Sequence, residues 1–109
     1  MTSSAEQNLA SLGITLPEAP SPAANYVPYV IVGDMVYVSG QVPFVNGGLQ
    51  VAGKVGDTVT IDQAAGEARI CAINLIAQLK AACGGDLSRV VQVVKLGGFV
   101  ACTADFTDQ

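Results

Sequence analysis

Two periods of apolar and polar positions run along the chain, and the places where they change divide it. From residue 26 to residue 42 the period is two, as in a strand with one face covered. Residues 26–32 read as a first strand and Met35 to Ser39 as a second. Gly33-Asp34 between them suits a two-residue hairpin turn of type II′, whose twist matches the strands it joins. Within the second strand Met35, Tyr37 and Ser39 share one face, and Val36, Val38 and Gly40 the other. A second turn is expected at Asn46-Gly47-Gly48, with short arms at 42–45 and 49–51.

The period then lengthens to 3.6, and residues 60–83 read as a helix. Thr60 and Gln63 have capping-box spacing, and Gly84-Gly85 supplies the stop. Steps of 100° place Ile61, Ala65, Ala68, Ala72, Leu75, Ile76, Leu79 and Cys83 on one face, the expected core face. Gln63, Glu67, Asn74 and Gln78 centre the opposite face, which Ile70 and Ile73 interrupt. They are either exposed or covered by a second element. Arg69 and Lys80 are expected on the solvent side, with Arg89 near a helix end or an acidic partner.

Residues 86–89 read as a polar turn and 90–102 as a long strand, with Gly97-Gly98 as a bulge or close approach. Both faces of that strand are apolar, so one helix cannot cover it; a further subunit or more chain is expected. Asp105 has the character of an N-cap, with Asp108 three residues on. A helix is expected to begin there, which makes the chain read as truncated at Gln109. At the other end, residues 5–12 suit a short helix with Ser4 as N-cap, pinned by Leu9, Leu12, Ile14 and Leu16. Pro17, Pro20 and Pro22 impose an extended path after it. The organisation expected is a lead-in over 1–18 and one domain over 19–109, of α/β (α+β) class with helices packed on one sheet face.

Composition narrows the chemistry. The net charge is −4 and the five Lys and Arg are scattered singly, so no basic stripe exists to follow a phosphate backbone. No apolar run approaches the roughly 18 residues of a membrane span, and the N-terminus has neither the charge nor the apolar core of a secretory signal. The chain has no His, which excludes a His-based triad, and no Cys-x-x-Cys. Cys71, Cys83 and Cys102 sit in apolar stretches, as buried reduced thiols of a cytoplasmic protein do. No phosphate-binding glycine loop occurs, and Asp62 and Glu67 are not spaced to face each other. What remains is Ser39-Gly40-Gln41, a hydroxyl, a bare backbone and an amide at the end of an apolar strand. It reads either as a bulge or close-packing point or as the rim of a ligand site.

Several motifs stand in a recognisable order. They are Ala19-Pro20, Tyr26-Val27, Gly33-Asp34-Met35, Val38-Ser39-Gly40-Gln41-Val42-Pro43, Leu87-Ser88-Arg89-Val90-Val91 and Gly98-Phe99-Val100 leading to Asp105-Phe106. In this order the chain resembles the RidA/YjgF family, also called L-PSP endoribonuclease or chorismate-mutase-like, over about residues 19 to 109. Its 69–74 stretch is similar to a branch distinct from the archetypal deaminases. The resemblance implies a chorismate-mutase-like fold with a mixed sheet, a homotrimer with ligand clefts between subunits, and a second helix starting at Asp105. It implies hydrolysis of enamines and imines of small carboxylates to 2-keto acids and ammonia, with no cofactor and no metal. Of the cleft, only Tyr26 as an aromatic wall and Ser39 and Gly40 as polar backbone carry over to this sequence. The substrate-clamping arginine and water-orienting glutamate belong to family strands that residues 1–109 do not include, and neither Arg69 nor Arg89 matches the clamp. The C-terminal helix and strands are thus expected to be missing, no catalytic residue carries over, and this stretch alone is expected to be inactive and poorly soluble. A non-catalytic ligand-binding or protein-interacting trimer is the alternative; an endoribonuclease agrees least with the acidic charge.

Overall fold

The computed structural model describes residues 4–19, 25–45, 48–49 and 51–109. Among these described residues seven elements follow one another: α1 (Ser4–Ser11), β1 (Tyr29–Val32), β2 (Met35–Val38), β3 (Phe44–Val45), β4 (Gly48–Leu49), α2 (Ile61–Ala82) and a 3₁₀ turn, Leu87–Arg89. This is the α+β class expected from the sequence, with its strands in two antiparallel pairs, β1 with β2 and β3 with β4.

The first hairpin forms where the period of two predicts it. Its register pairs Tyr29 with Val38 and Val32 with Met35, leaving a two-residue loop at Gly33-Asp34. Gly33 has φ +58°, a left-handed value that suits glycine. Val36 and Val38 are half-buried while Met35 and Tyr37 are exposed, which is the predicted alternation. The second hairpin is shorter than predicted, and the Asn46-Gly47 part of its turn lies outside the described residues, as do Pro20 and Pro22.

Helix α2 spans 22 residues and begins with both halves of the expected capping box. The Gln63 N–H donates to Thr60 Oγ1 at 3.1 Å, and the Thr60 N–H donates to Gln63 Oε1 at 2.9 Å. At its other end the Gly85 N–H reaches Lys80 O at 2.8 Å and the Gly84 N–H reaches Ala81 O at 3.1 Å. Gly84 has φ +67°, so the predicted stop is a Schellman motif. The same pair of bonds ends α1, from Gly13 to Ala10 and from Ile14 to Leu9. Ser4 is the first residue of α1 rather than its N-cap.

The packing of α2 keeps the C-terminal half of the face assigned from its periodicity, where Leu75, Ile76 and Leu79 are half-buried and Cys83 is buried, and overturns its N-terminal half. The side chains it buries are Asn74, Ala77 and Gln78, and the helix contacts β1, β2 and β3. Ile61, Ala65, Ala68 and Ala72, expected in the core, are exposed. Ile70 and Ile73, which interrupted the polar face, are half-buried. The cause is that apolar residues almost encircle this helix, so hydrophobicity alone does not choose a side. Hydrogen bonding does: the strand segment under the helix leaves carbonyls that Asn74 can satisfy and an aliphatic residue cannot. The other flank of α2 carries α1, through a Lys80–Glu6 ion pair of 3.5 Å and a shallow apolar cleft of 270 Å³ lined by Leu9, Leu12, Ile76, Leu79, Leu87 and Val90. The exposed ion pair contributes under about 1 kcal/mol, so the apolar contacts do most of the docking.

A second knot of core lies at Val55, Val59 and Cys102. Val55 and Val59 are 4% and 7% exposed, and Val55 forms parallel bridges to Val59 and to Cys102. Gly56 allows this. Its φ is +92°, and a Cβ there would stand 2.7 Å from Thr103 Oγ1.

Two further expectations are corrected. Residues 90–101 form no strand, and among the described residues the only pairing near Gln109 is the Val55–Cys102 bridge. A strand exists only where another backbone is 4.7–4.9 Å away to exchange hydrogen bonds, and no described segment runs beside these residues. Asp105 starts no helix; residues 104–105 form a turn, closed by the Phe106 N–H on Thr103 O at 3.2 Å. An N-cap supplies one acceptor, but the turns that would follow it are absent among residues 106–109.

Candidate functional site

The end of β2 ties Ser39, and with it Gly40, to the residues that follow Tyr26. The Ser39 N–H donates to Pro28 O at 2.9 Å, extending the hairpin one step beyond its named strands. Ser39 Oγ donates to Val27 O, and Gln41 Nε2 donates to Ser39 O at 3.1 Å. Tyr26, 41% exposed, immediately precedes Val27 in a bend before β1. The Ser39 hydroxyl proton is engaged by a backbone carbonyl, and the chain contains no His to withdraw it. Ser39 therefore fixes the spacing of two strand ends and is not set up as a nucleophile.

Gly40 contradicts the reading of a close-packing point. It is exposed, its φ is not in the left-handed region, and an added Cβ would meet nothing within 4 Å. Nothing among the described residues demands a glycine there. The bare backbone faces outward, where a ligand or another surface can approach it closely.

Behind the turn stands a group of residues that sequence reading placed on the solvent side. Asn74, 3% exposed, donates from Nδ2 to Val42 O at 3.3 Å and to Phe44 O at 3.1 Å. These carbonyls flank Pro43, which interrupts the ladder because it has no N–H. The amide thus bonds to a stretch that cannot be secured as a regular strand, and it holds the backbone that continues from Gly40 and Gln41. Gln78, 2% exposed, is also engaged with a partner. Two turns before Asn74, Glu67 Oε2 is buried with no hydrogen-bond partner among the described residues. Partial burial pushes the Cys71 thiol up from its ordinary pKa, and the Glu67 carboxylate one turn away adds to the shift. Cys71 is thereby kept as a poorly nucleophilic thiol at neutral pH. The signal for this buried face was the interruption of the polar side by Ile70 and Ile73.

The two arginines considered as clamps are elsewhere. Arg89 donates from Nη1 to Cys83 O at 3.2 Å, capping the C-terminus of α2, one of the roles foreseen for it. Arg69 is exposed on α2. Beside Arg89, hydrogen bonds from the Ser88 hydroxyl and N–H hold Asp86 below the usual carboxylate range. Among the described residues no three His, Cys, Asp or Glu side chains gather as a metal site. No helix among them is long and apolar enough to cross a membrane.

Comparison with known proteins places this arrangement. The model of a family described as "YjgF/chorismate_mutase-like, putative endoribonuclease" matches residues 6–107. "Protein TCP17" of Trypanosoma cruzi is 45% identical over 102 residues, which are 94% of this chain and 63% of that protein. The crystal structure of Atu1372 from Agrobacterium tumefaciens, described as of unknown function, superposes with a TM-score of 0.83 at 46% identity. It covers 95% of this chain and 62% of its own. A structure from Shewanella oneidensis, described as a "putative endoribonuclease", has a TM-score of 0.71 at 42% identity, covering 77% of this chain and 55% of its own. The chain thus spans less than two thirds of the length of these relatives. By its sequence and by its fold, it belongs to the YjgF/chorismate-mutase-like family.

Proposed function

We propose that these 109 residues supply one wall of a small-carboxylate cleft in an imine and enamine deaminase of this family. The observation that carries the reading is Gly40. Its outward, unobstructed backbone follows Ser39, which is bonded to Val27 and Pro28, the two residues that come directly after an exposed Tyr26 in the chain. An aromatic face and free backbone groups suit a flat, conjugated C=N–C or C=C–N substrate. In the reaction, water adds to the imine carbon, the resulting carbinolamine loses ammonia, and a 2-keto acid remains. The residues named here bind and orient. The carboxylate clamp and the water-orienting carboxylate come from family strands outside residues 1–109, because Arg89 is occupied at Cys83 O and Arg69 lies on the outer helix surface. The cleft closes between subunits of a homotrimer, and residues 1–109 alone do not turn over.

The test joins residues 1–109 to the remaining C-terminal part of the Agrobacterium relative and measures keto-acid release from 2-aminoacrylate generated in situ. Release above background by the chimera, and none by the 109 residues alone, is expected. An inactive chimera beside an active Agrobacterium parent overturns the reading.

The name carried by the family and by the Shewanella structure favours a second reading, endoribonuclease. A net charge of −4 opposes it, because phosphate contacts require clustered cations. Cleavage of a labelled single-stranded RNA by the chimera, with no keto-acid release, would select it.

A further inference from the structure

The span that carries Gly40 is tied at both ends. At its start Ser39 bonds to Val27 O through its hydroxyl and to Pro28 O through its N–H. At its far end the Phe44 N–H donates to Val42 O at 2.8 Å. This bond from i+2 to i makes residues 42–44 a γ-turn with Pro43 at its centre, and the proline φ of about −65° suits the inverse form. The Asn74 amide reaches both ends of that turn, Val42 O at 3.3 Å and Phe44 O at 3.1 Å. Val42 O thus accepts twice, as the two lone pairs of a carbonyl allow, and the two Nδ2 protons of Asn74 match the two carbonyls one for one. Asn74 is 3% exposed in the interior of helix α2, so the helix fixes its position. Between the two ties lie only Gly40 and Gln41, and the stretch from Ser39 to Val42 reaches at most about 11 Å. Gln41 closes back on Ser39 O through its side chain, while Gly40 stays exposed.

We propose that Asn74 is a positioning residue of the cleft. Through the carbonyls of Val42 and Phe44 it sets where Gly40 stands, and so how tightly a small 2-keto or 2-imino carboxylate is held. The inference rests on the reading of this turn as a cleft wall. Asn74 is buried and its donors are spent on backbone, so it acts only through the turn. An aliphatic residue at 74 would still pack against the strands, but would leave both carbonyls without their common donor. The span would then be anchored only at Ser39, and its freed residues would have to be ordered each time a ligand binds. Ordering one such residue weakens binding about tenfold.

The test uses the chimera with the Agrobacterium relative, and as probe pyruvate, the 2-keto acid that 2-aminoacrylate yields. Kd is read by titration calorimetry for wild type, Asn74→Ala and Thr60→Ala. Partial unfolding lowers the number of sites and leaves Kd nearly unchanged. Thr60→Ala, which weakens α2 about 21 Å along the helix from Asn74, is therefore the control. Asn74→Ala should raise Kd about tenfold and hasten hydrogen exchange of the Phe44 amide; Thr60→Ala should do neither. In the wild-type chimera the Asn74 Nδ2 protons should exchange slowly, and their NMR signals should shift as pyruvate is added, a readout that needs no variant to fold. Three results overturn the inference: equal Kd in Asn74→Ala and wild type, equal weakening in Thr60→Ala, or Asn74 signals unmoved at saturating pyruvate. A wild-type chimera that binds no pyruvate also overturns it. One that in addition releases no keto acid from 2-aminoacrylate overturns the cleft reading itself.

Discussion

Replacing Asn74 separates hydrogen bonding from packing at the centre of the fold. Its amide is 3% exposed and donates to Val42 O and Phe44 O. Each bond contributes about 0.5–1.5 kcal/mol net. The Val42 carbonyl still accepts from the Phe44 N–H at 2.8 Å when Asn74 is lost, whereas the carbonyl of half-buried Phe44 has less recourse. Asn74→Ala should therefore cost about 2 kcal/mol. With a urea dependence near the lower end of the usual range, about 1.2 kcal/mol/M, the unfolding midpoint drops by about 1.7 M. Asn74→Asp keeps the shape but replaces the donor by an anion facing two carbonyl oxygens, and should cost more, about 3–5 kcal/mol at pH 7. Part of that loss should return near pH 4, where a protonated Asp can donate once. The assay is urea unfolding followed by circular dichroism, on the chain kept dilute. An Asp variant within about 0.5 kcal/mol of wild type at pH 7 would refute the donor role, since surface substitutions behave that way.

Thr60→Ala should lower stability by about 1 kcal/mol, read as a fall in the thermal midpoint, because it opens the capping box of α2. Gly56→Ala meets both a positive φ and Thr103 Oγ1; it should cost about 1–3 kcal/mol and expose the Thr103 amide to hydrogen exchange. Alkylation of Cys71, followed peptide by peptide in mass spectrometry, should rise with pH through a midpoint above that of a free thiol, about 8.5; a midpoint at or below it would remove the roles given to burial and Glu67.

The local chemistry of the fold was legible in the sequence. The capping box, the Gly84-Gly85 stop and the Gly33-Asp34 hairpin each depend on residues within a few positions of one another, so spacing alone defines them. The tie of Ser39 to the residues just before β1 follows from the same short-range register. The buried polar face of α2 was not legible. It is decided by two carbonyls 32 and 30 positions upstream of their donor, near it in space but not in sequence, and an apolar count around the helix cannot register them. The 90–101 run shows the opposite failure. Its composition is that of a strand, but strand formation is a property of pairs, and no described segment of this chain supplies the second member.

The most direct measurement of the central claim is Gly40→Val in the chimera with the Agrobacterium relative. The space around Gly40 is empty, so the account predicts an unchanged thermal midpoint and a fall in kcat/KM for 2-aminoacrylate of at least about tenfold, or 1.4 kcal/mol of transition-state binding. An unchanged midpoint with unchanged kcat/KM would mean that no substrate approaches this turn, and would contradict it.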